Sequence, residues 1–138
     1  MIKEDCLFCK IAKGEIHSAT VYEDSHFTVI LDVNPATKGH CLIIPKEHFD
    51  NIYDLDGETA GKLFALATCI ARAMKDALKC DGLNLVQNNG EVAGQTVKHF
   101  HLHLIPRYEG DGLNLNWPQQ EISGEQLEEI RLSIKKSI

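Results

Sequence analysis

The sequence predicts an α+β fold: a mainly antiparallel sheet of about five strands, one long helix, and shorter helices at the two ends. Three observations carry this. Residues 99–105 read His99-Phe100-His101-Leu102-His103-Leu104-Ile105, an alternation of histidine with apolar residues that suits a strand. Between about residues 56 and 78, Leu63, Phe64, Leu66, Ala67, Ile70, Ala71, Met74 and Leu78 recur at helical spacing. Elsewhere, short β-rich runs are separated by turn residues, which places hairpins around a single long helix.

In chain order, residues 6–13 read as a short helical turn closed by Gly14, with Phe8, Ile11 and Ala12 as its apolar side. Residues 20–22 and 26–31 are β-rich on either side of Glu23-Asp24-Ser25 and form a hairpin. Asn34-Pro35 and Lys38-Gly39 mark a loop, and residues 40–44 form a buried strand ended by Pro45. The long helix follows, with Lys62, Arg72 and Lys75 on its solvated face. Residues 83–87 are a strand, Asn88-Asn89-Gly90 a turn, and 97–106 the histidine strand. Residues 124–138 read as an amphipathic helix with Leu127, Ile130 and Ile134 on one side.

A chain of 138 residues is expected to form one domain, 1–138, with a core that needs no disulfides. Its net charge of −6 argues against general nucleic-acid or anionic-membrane binding, while leaving room for a phosphate in a locally positive pocket. No apolar run after Met1-Ile2-Lys3-Glu4-Asp5 is long enough for a signal peptide or a membrane helix. Five cysteines, an odd number without secretory context, predict a reducing cytoplasm.

The histidine run carries the chemistry. Alternate side chains of a strand share a face, so His99, His101 and His103 line one surface while Phe100, Leu102 and Leu104 enter the core. Same-face neighbours lie roughly 6.5–7 Å apart, a spacing that suits three groups sharing one substrate better than three nitrogens meeting on one metal. Neutral imidazole is a competent nucleophile near pH 7. A second constellation is Cys6-x-x-Cys9 with His48 and His99 as distant candidates, a Cys₂His₂ set chemically suited to tetrahedral Zn²⁺. The histidine spacing is not that of a zinc finger, so buried thiols or a redox pair remain alternatives; a thioredoxin-type pair belongs ahead of a helix in a βαβ setting, which does not follow here. Cys41, Cys69 and Cys80 are expected to pack, and His17, His26 and His40, lacking partners, to sit at the surface or the core edge.

The run from His99 to Ile105 resembles the signature of the histidine-triad (HIT) superfamily of nucleotide hydrolases and transferases. Cys6-Leu7-Phe8-Cys9-Lys10-Ile11, Leu31-Asp32-Val33, Lys38-Gly39-His40, Ile44-Pro45-Lys46-Glu47-His48, Asn88-Asn89-Gly90 and Gly94-Gln95-Thr96-Val97 resemble family blocks in the same order. The pattern is most similar to the bacterial histidine-triad nucleotide-binding branch, in its zinc-containing subgroup. The resemblance implies a HIT-like fold with a C-terminal extension from about residue 113. It implies hydrolysis of purine nucleoside 5′-phosphoramidates or related AMP or GMP conjugates through a nucleotidyl-histidine. Dinucleoside polyphosphate hydrolysis, and a purine-nucleotide-binding regulator with incidental hydrolysis, are the alternatives.

By the same resemblance, His101 is the nucleophile, oriented by the backbone carbonyl of His99, and His103 binds a non-bridging phosphate oxygen. Asn88, Gln95 and Thr96 are neutral donors to the phosphate, where Thr96 helps stabilise transition-state charge. Gly94 and Val97 complete that segment. Asp32 meets the ribose hydroxyls, although beside Asn34-Pro35 it equally suits a turn. Ile16, Ile30, Val33 and Phe8 line the base pocket. Cys6, Cys9, His48 and His99 hold a structural zinc, and the family is usually a homodimer built on the long helix and one sheet edge.

Overall fold

The computed structural model describes residues 2–138; Met1, the first residue of the expected 1–138 span, lies outside the described residues. One antiparallel sheet is built from β1 (Thr20–Glu23), β2 (Phe27–Leu31), β3 (Cys41–Pro45), β4 (Gly82–Val86) and β5 (Leu102–Arg107), in the order β1-β2-β3-β5-β4. Around it lie α1 (Leu7–Ala12), α2 (Gly57–Leu78) and α3 (Gly124–Lys136), with a 3₁₀ turn at Glu91–Ala93. Elements appear where the sequence pattern puts them, and the architecture is the expected α+β.

Strand alternation sorts the core onto two faces. Val29, Cys41, Ile43, Leu102 and Leu104 face α2, where they meet Leu63, Ala67, Ile70 and Met74. Ile30, Leu42 and Ile44 face the other way and meet Phe8 of α1. Asp56 caps α2, its carboxylate accepting from the Thr59 N–H at 2.9 Å. The helix ends at Lys79 in the left-handed region (φ 53°), where the chain turns toward β4. Gly39 packs against that end: with φ 95°, a Cβ there would come within 2.5 Å of Leu78.

Three expectations need correcting. The histidine strand begins at Leu102, not at 97, because the β3–β5 ladder runs only from Cys41↔Leu104 to Ile43↔Leu102. Beyond it, the carbonyl of Pro45 accepts from the His99 ring. Phe64 does not join the core side of α2; it is 56% exposed because its position points away from the sheet. The helix at 124–136 forms, but its apolar side meets no core: Leu127, Ile130 and Ile134 all stay exposed. Among the described residues, no helix is long and apolar enough to cross a membrane.

Candidate functional site

Alternation carries on past the end of β5, so Phe100 enters the α2 core while His99 and His101 turn to the α1 side. His101 is buried, and its Nδ1 lies 2.7 Å from the carbonyl oxygen of His99. A carbonyl only accepts, so Nδ1 carries the proton and Nε2 keeps a free lone pair. The Phe8 ring meets His101 edge-on at 4.8 Å and holds the imidazole plane. Burial lowers the His101 pKa, opposed by the His99 carbonyl and the Asp32 charge, which keeps the ring neutral and nucleophilic near pH 7.

His103 is fixed by a residue that sequence reasoning set aside. His40 is buried, not at the surface, and its Nδ1 accepts from the backbone N–H of Ala36 at 3.0 Å. Its proton therefore sits on Nε2, which donates to Nδ1 of His103 at 2.9 Å. That leaves the His103 proton on Nε2, so neutral His103 is a hydrogen-bond donor. Burial, with further contributions from His101 and His40, pushes the His103 pKa down to about 4. Asp32 lies 3.8 Å from His40 Nε2, and its other oxygen accepts from the Asn34 N–H at 2.9 Å. One oxygen of Asp32 thus makes the expected turn, and the residue also lines the cavity beside His101 and His103. His40 sits two residues after Lys38 in a strand opening, and only its register beside β5 reveals the role.

That cavity has a volume of about 440 Å³. Phe8, Ile16, Ile30, Asp32, Val33, Thr96, Val97, His101 and His103, all candidates from the sequence, line it together. Leu7, Ile11, His17, Ser18, Leu31, Asn34 and Leu42 line it as well; Leu42 comes there through its register opposite His103, which no sequence signal gives. Asn88, Gly94 and Gln95 are not brought to this cavity. Gln95 is a loop brace: its amide donates to the carbonyls of Asp50 (2.6 Å) and Val97 (3.0 Å), and its oxygen accepts from the Gly90 N–H. Both donors are spent, which corrects its expected role toward phosphate. Gly94 is required by its φ of 96°, since a Cβ would meet Asn88 only at ordinary contact distance.

Beside the cavity, Cys6, Cys9, His48 and His99 bring their donor atoms within 4.8 Å of one another. His99 donates from Nε2 to the Pro45 carbonyl at 2.8 Å, so its Nδ1 lone pair faces the sulfurs of Cys6 (3.4 Å) and Cys9 (3.5 Å). His48 donates from Nε2 to Asp50 at 2.7 Å, and its Nδ1 lies 3.4 Å from the Cys9 sulfur. The His48 bond, aided by Lys3 and Lys98, holds the Asp50 carboxyl below the usual carboxylate range. Two imidazoles locked with lone pairs inward, each by an outer acceptor, is the arrangement of metal-ligating histidines. Tetrahedral Zn²⁺ separates N and S ligands by roughly 3.6 Å, and these donors are already close to that spacing. The set fits zinc. Cys69, expected to pack, is instead exposed on α2.

The HIT domain profile matches residues 13–110. The crystal structure of a HIT family member from Bacillus subtilis is 46% identical and superposes with a TM-score of 0.92 over 98% of both chains. Adenosine 5′-monophosphoramidase HNT1 of Saccharomyces cerevisiae is 42% identical over 123 residues, which span 88% of this chain and 75% of the yeast protein. A Zn-bound histidine triad family protein from Mycobacterium smegmatis is 39% identical, with a TM-score of 0.76 over 97% of this chain and 98% of that one.

Proposed function

As the chain belongs to the HIT domain family, we propose that it is a nucleotide hydrolase cleaving purine nucleoside 5′-phosphoramidates or related AMP conjugates at the α-phosphorus. The observation that carries this is the His101 Nδ1–His99 carbonyl bond, which leaves the buried His101 Nε2 as a free nucleophile at the cavity. His101 Nε2 attacks the phosphorus, the P–N bond breaks as the leaving nitrogen takes a proton from water and departs as the amine, and a second water then hydrolyses the nucleotidyl-histidine. The His103 Nε2–H, held in that tautomer by His40, donates to a non-bridging oxygen and offsets the charge building there. Asp32 accepts from the ribose hydroxyls, and Phe8, Ile16, Ile30 and Val33 take the base. Thr96, which lines the same cavity, adds a hydroxyl donor for the phosphate.

Cys6, Cys9, His48 and His99 would hold a zinc ion. With four protein ligands it supplies structural cross-linking and no activated water. It ties α1 to the segment that carries His101. The cysteines are all free, in keeping with a reducing cytoplasm. Residues 1–138 then act as one domain with an arm from about 113. Two copies pair along α2, where Phe64 is exposed, and along the edge strand β4.

Steady-state kinetics on a substrate panel test the reading: AMP amidates of lysine and simple amines, ADP, and diadenosine tetraphosphate. The highest kcat/KM is expected on the amidates. A higher value on diadenosine tetraphosphate would transfer the assignment to polyphosphate hydrolysis by the same His101 chemistry. Turnover too slow to measure on every AMP conjugate would leave a nucleotide-binding protein.

A further inference from the structure

Cys6 and Cys9 are neighbours in space, but only one of them is within reach of solvent. Cys6 is half-buried and lines a second cavity, of about 370 Å³, together with Lys3, Asp5 and Lys98. That opening gives a small reagent a route to its sulfur. Cys9 is 1% exposed and does not line this cavity. Its N–H nevertheless donates to the Cys6 sulfur at 3.4 Å, and the two sulfurs lie within 4.8 Å of one another. An outer thiol backed by an inner one is the arrangement that closes a disulfide by successive exchange. Cys41 is no competitor, because burial pushes its thiol up to about 11.

The same two cysteines border the nucleotide cavity. Leu7 and Phe8, the residues between them, both line it. The Phe8 ring lies 4.8 Å from that of His101 and 6.0 Å from that of His99. An S–S bond is roughly 2.05 Å long, whereas two sulfurs on one tetrahedral zinc stand about 3.8 Å apart. The two states exclude each other, so forming the bond takes both sulfurs away from His48 and His99. It also closes a covalent ring that contains Leu7 and Phe8, and so shifts the Phe8 edge that holds His101.

We propose that Cys6 and Cys9 form a disulfide modification site, closed by exchange with a low-molecular-weight disulfide such as oxidised glutathione, and that closing it weakens nucleotide binding. The Cys6 thiolate attacks one sulfur of the external disulfide, and the first external thiolate leaves. The Cys9 thiolate then attacks the Cys6 sulfur of the mixed disulfide, and the second external thiolate leaves. The departing thiolates take up the two protein thiol protons, so one external disulfide is reduced as one internal disulfide forms. The bond itself rests on the geometry of the two thiols. Its competition with metal and its effect on nucleotide rest on the readings proposed above, and the experiment separates all three.

Full-length C69S/C80S, which lacks the other two reachable thiols, is prepared metal-free and zinc-loaded. Both samples are equilibrated in glutathione buffers of rising oxidised fraction. Tryptic masses, released zinc and the calorimetric affinity for AMP are then measured. The expected product lacks two hydrogens on the peptide 4–10, which carries both cysteines. Zinc leaves the loaded sample in step with that product. In the metal-free sample the AMP dissociation constant rises about two- to tenfold, the worth of one aromatic contact, and reduction restores it. Glutathione held stably on Cys6, or metal-free thiols that stay reduced at every ratio, overturns the disulfide whether or not zinc binds. A disulfide with unchanged AMP affinity overturns its link to the cavity. A disulfide in a chain that takes up no zinc upholds the modification site and removes the metal. Reduced protein that binds no AMP overturns the nucleotide reading, while the masses still decide the disulfide.

Discussion

The backbone carbonyl of His99 lies 2.7 Å from Nδ1 of His101, while the imidazole of the same His99 sits between the sulfurs of Cys6 and Cys9. One residue thus joins two centres. Its ring belongs to the Cys/His cluster, and its carbonyl fixes the tautomer of His101 next to it in the alternation.

A zinc ion held in the cluster would make metal content a catalytic variable. About one Zn²⁺ per chain is expected by elemental analysis, lost in Cys9→Ser, with a lower melting temperature for the metal-free protein. A metal there would reach His101 only through the His99 backbone, so its removal should lower kcat without abolishing it. Zinc-free protein with an unchanged melting temperature after metal addition would remove zinc from this cluster.

The His40–His103 hydrogen bond sets which nitrogen of His103 is protonated. His40→Ala leaves Nδ1 of His103 unpaired and free to take the proton. The loss should resemble that of one fixed transition-state donor, about 100-fold in kcat with little change in KM. His40→Gln, whose amide can still donate, should recover part of it. Equal losses in both variants would assign His40 to packing alone.

Much of this was legible in the sequence, and the gaps have physical causes. The alternation from His99 to Ile105 gave the faces correctly, since side-chain period 2 survives where the ladder stops. Its start was misplaced because the β3–β5 ladder ends at Ile43↔Leu102, a matter of pairing that one strand's pattern does not carry. His40 was missed because its role comes from a neighbour 63 residues away. Gln95 was taken for a phosphate donor because composition cannot tell a ligand-facing amide from one consumed by Asp50 and Val97. Phe64 and the stripe of α3 have the right helical period for a core. Periodicity reports an apolar face without saying which chain covers it.

Asp32 is expected to discriminate ribose from deoxyribose. A 2′-deoxy nucleotide should bind more weakly by up to about 1–3 kcal/mol, the cost of leaving a half-buried carboxylate partly unpaired. Asp32→Asn keeps an oxygen for the Asn34 N–H, and so separates the turn from the recognition; it should lose most of the discrimination while the melting temperature holds. Calorimetric titration of AMP and dAMP checks this, and equal affinities in the parent protein would take Asp32 out of the ribose site.

The pH profile follows from burial. His101 and His103 are both held below the ordinary imidazole value of 6.5, His103 at about 4. The acid limb of kcat/KM, measured over about pH 5 to 8, should therefore lie below 6.5. Stability follows the same sign. As pH falls, the unfolded chain takes up a proton on His103 near 6.5, before the folded chain does near 4. The stabilisation is thus complete above 6.5 and is lost progressively toward 4. A limb centred above 6.5 would contradict the burial of His101.

The covalent step is the centre of the account, and rapid quench tests it most directly. Parent enzyme mixed with a labelled AMP amidate and stopped within one turnover should yield label on His101, in an adduct that is acid-labile and base-stable as a phosphoramidate of imidazole should be. His101→Ala should trap none and turn over nothing, while still binding AMP. Label recovered on another residue, or near-parental turnover by His101→Ala, would contradict the account.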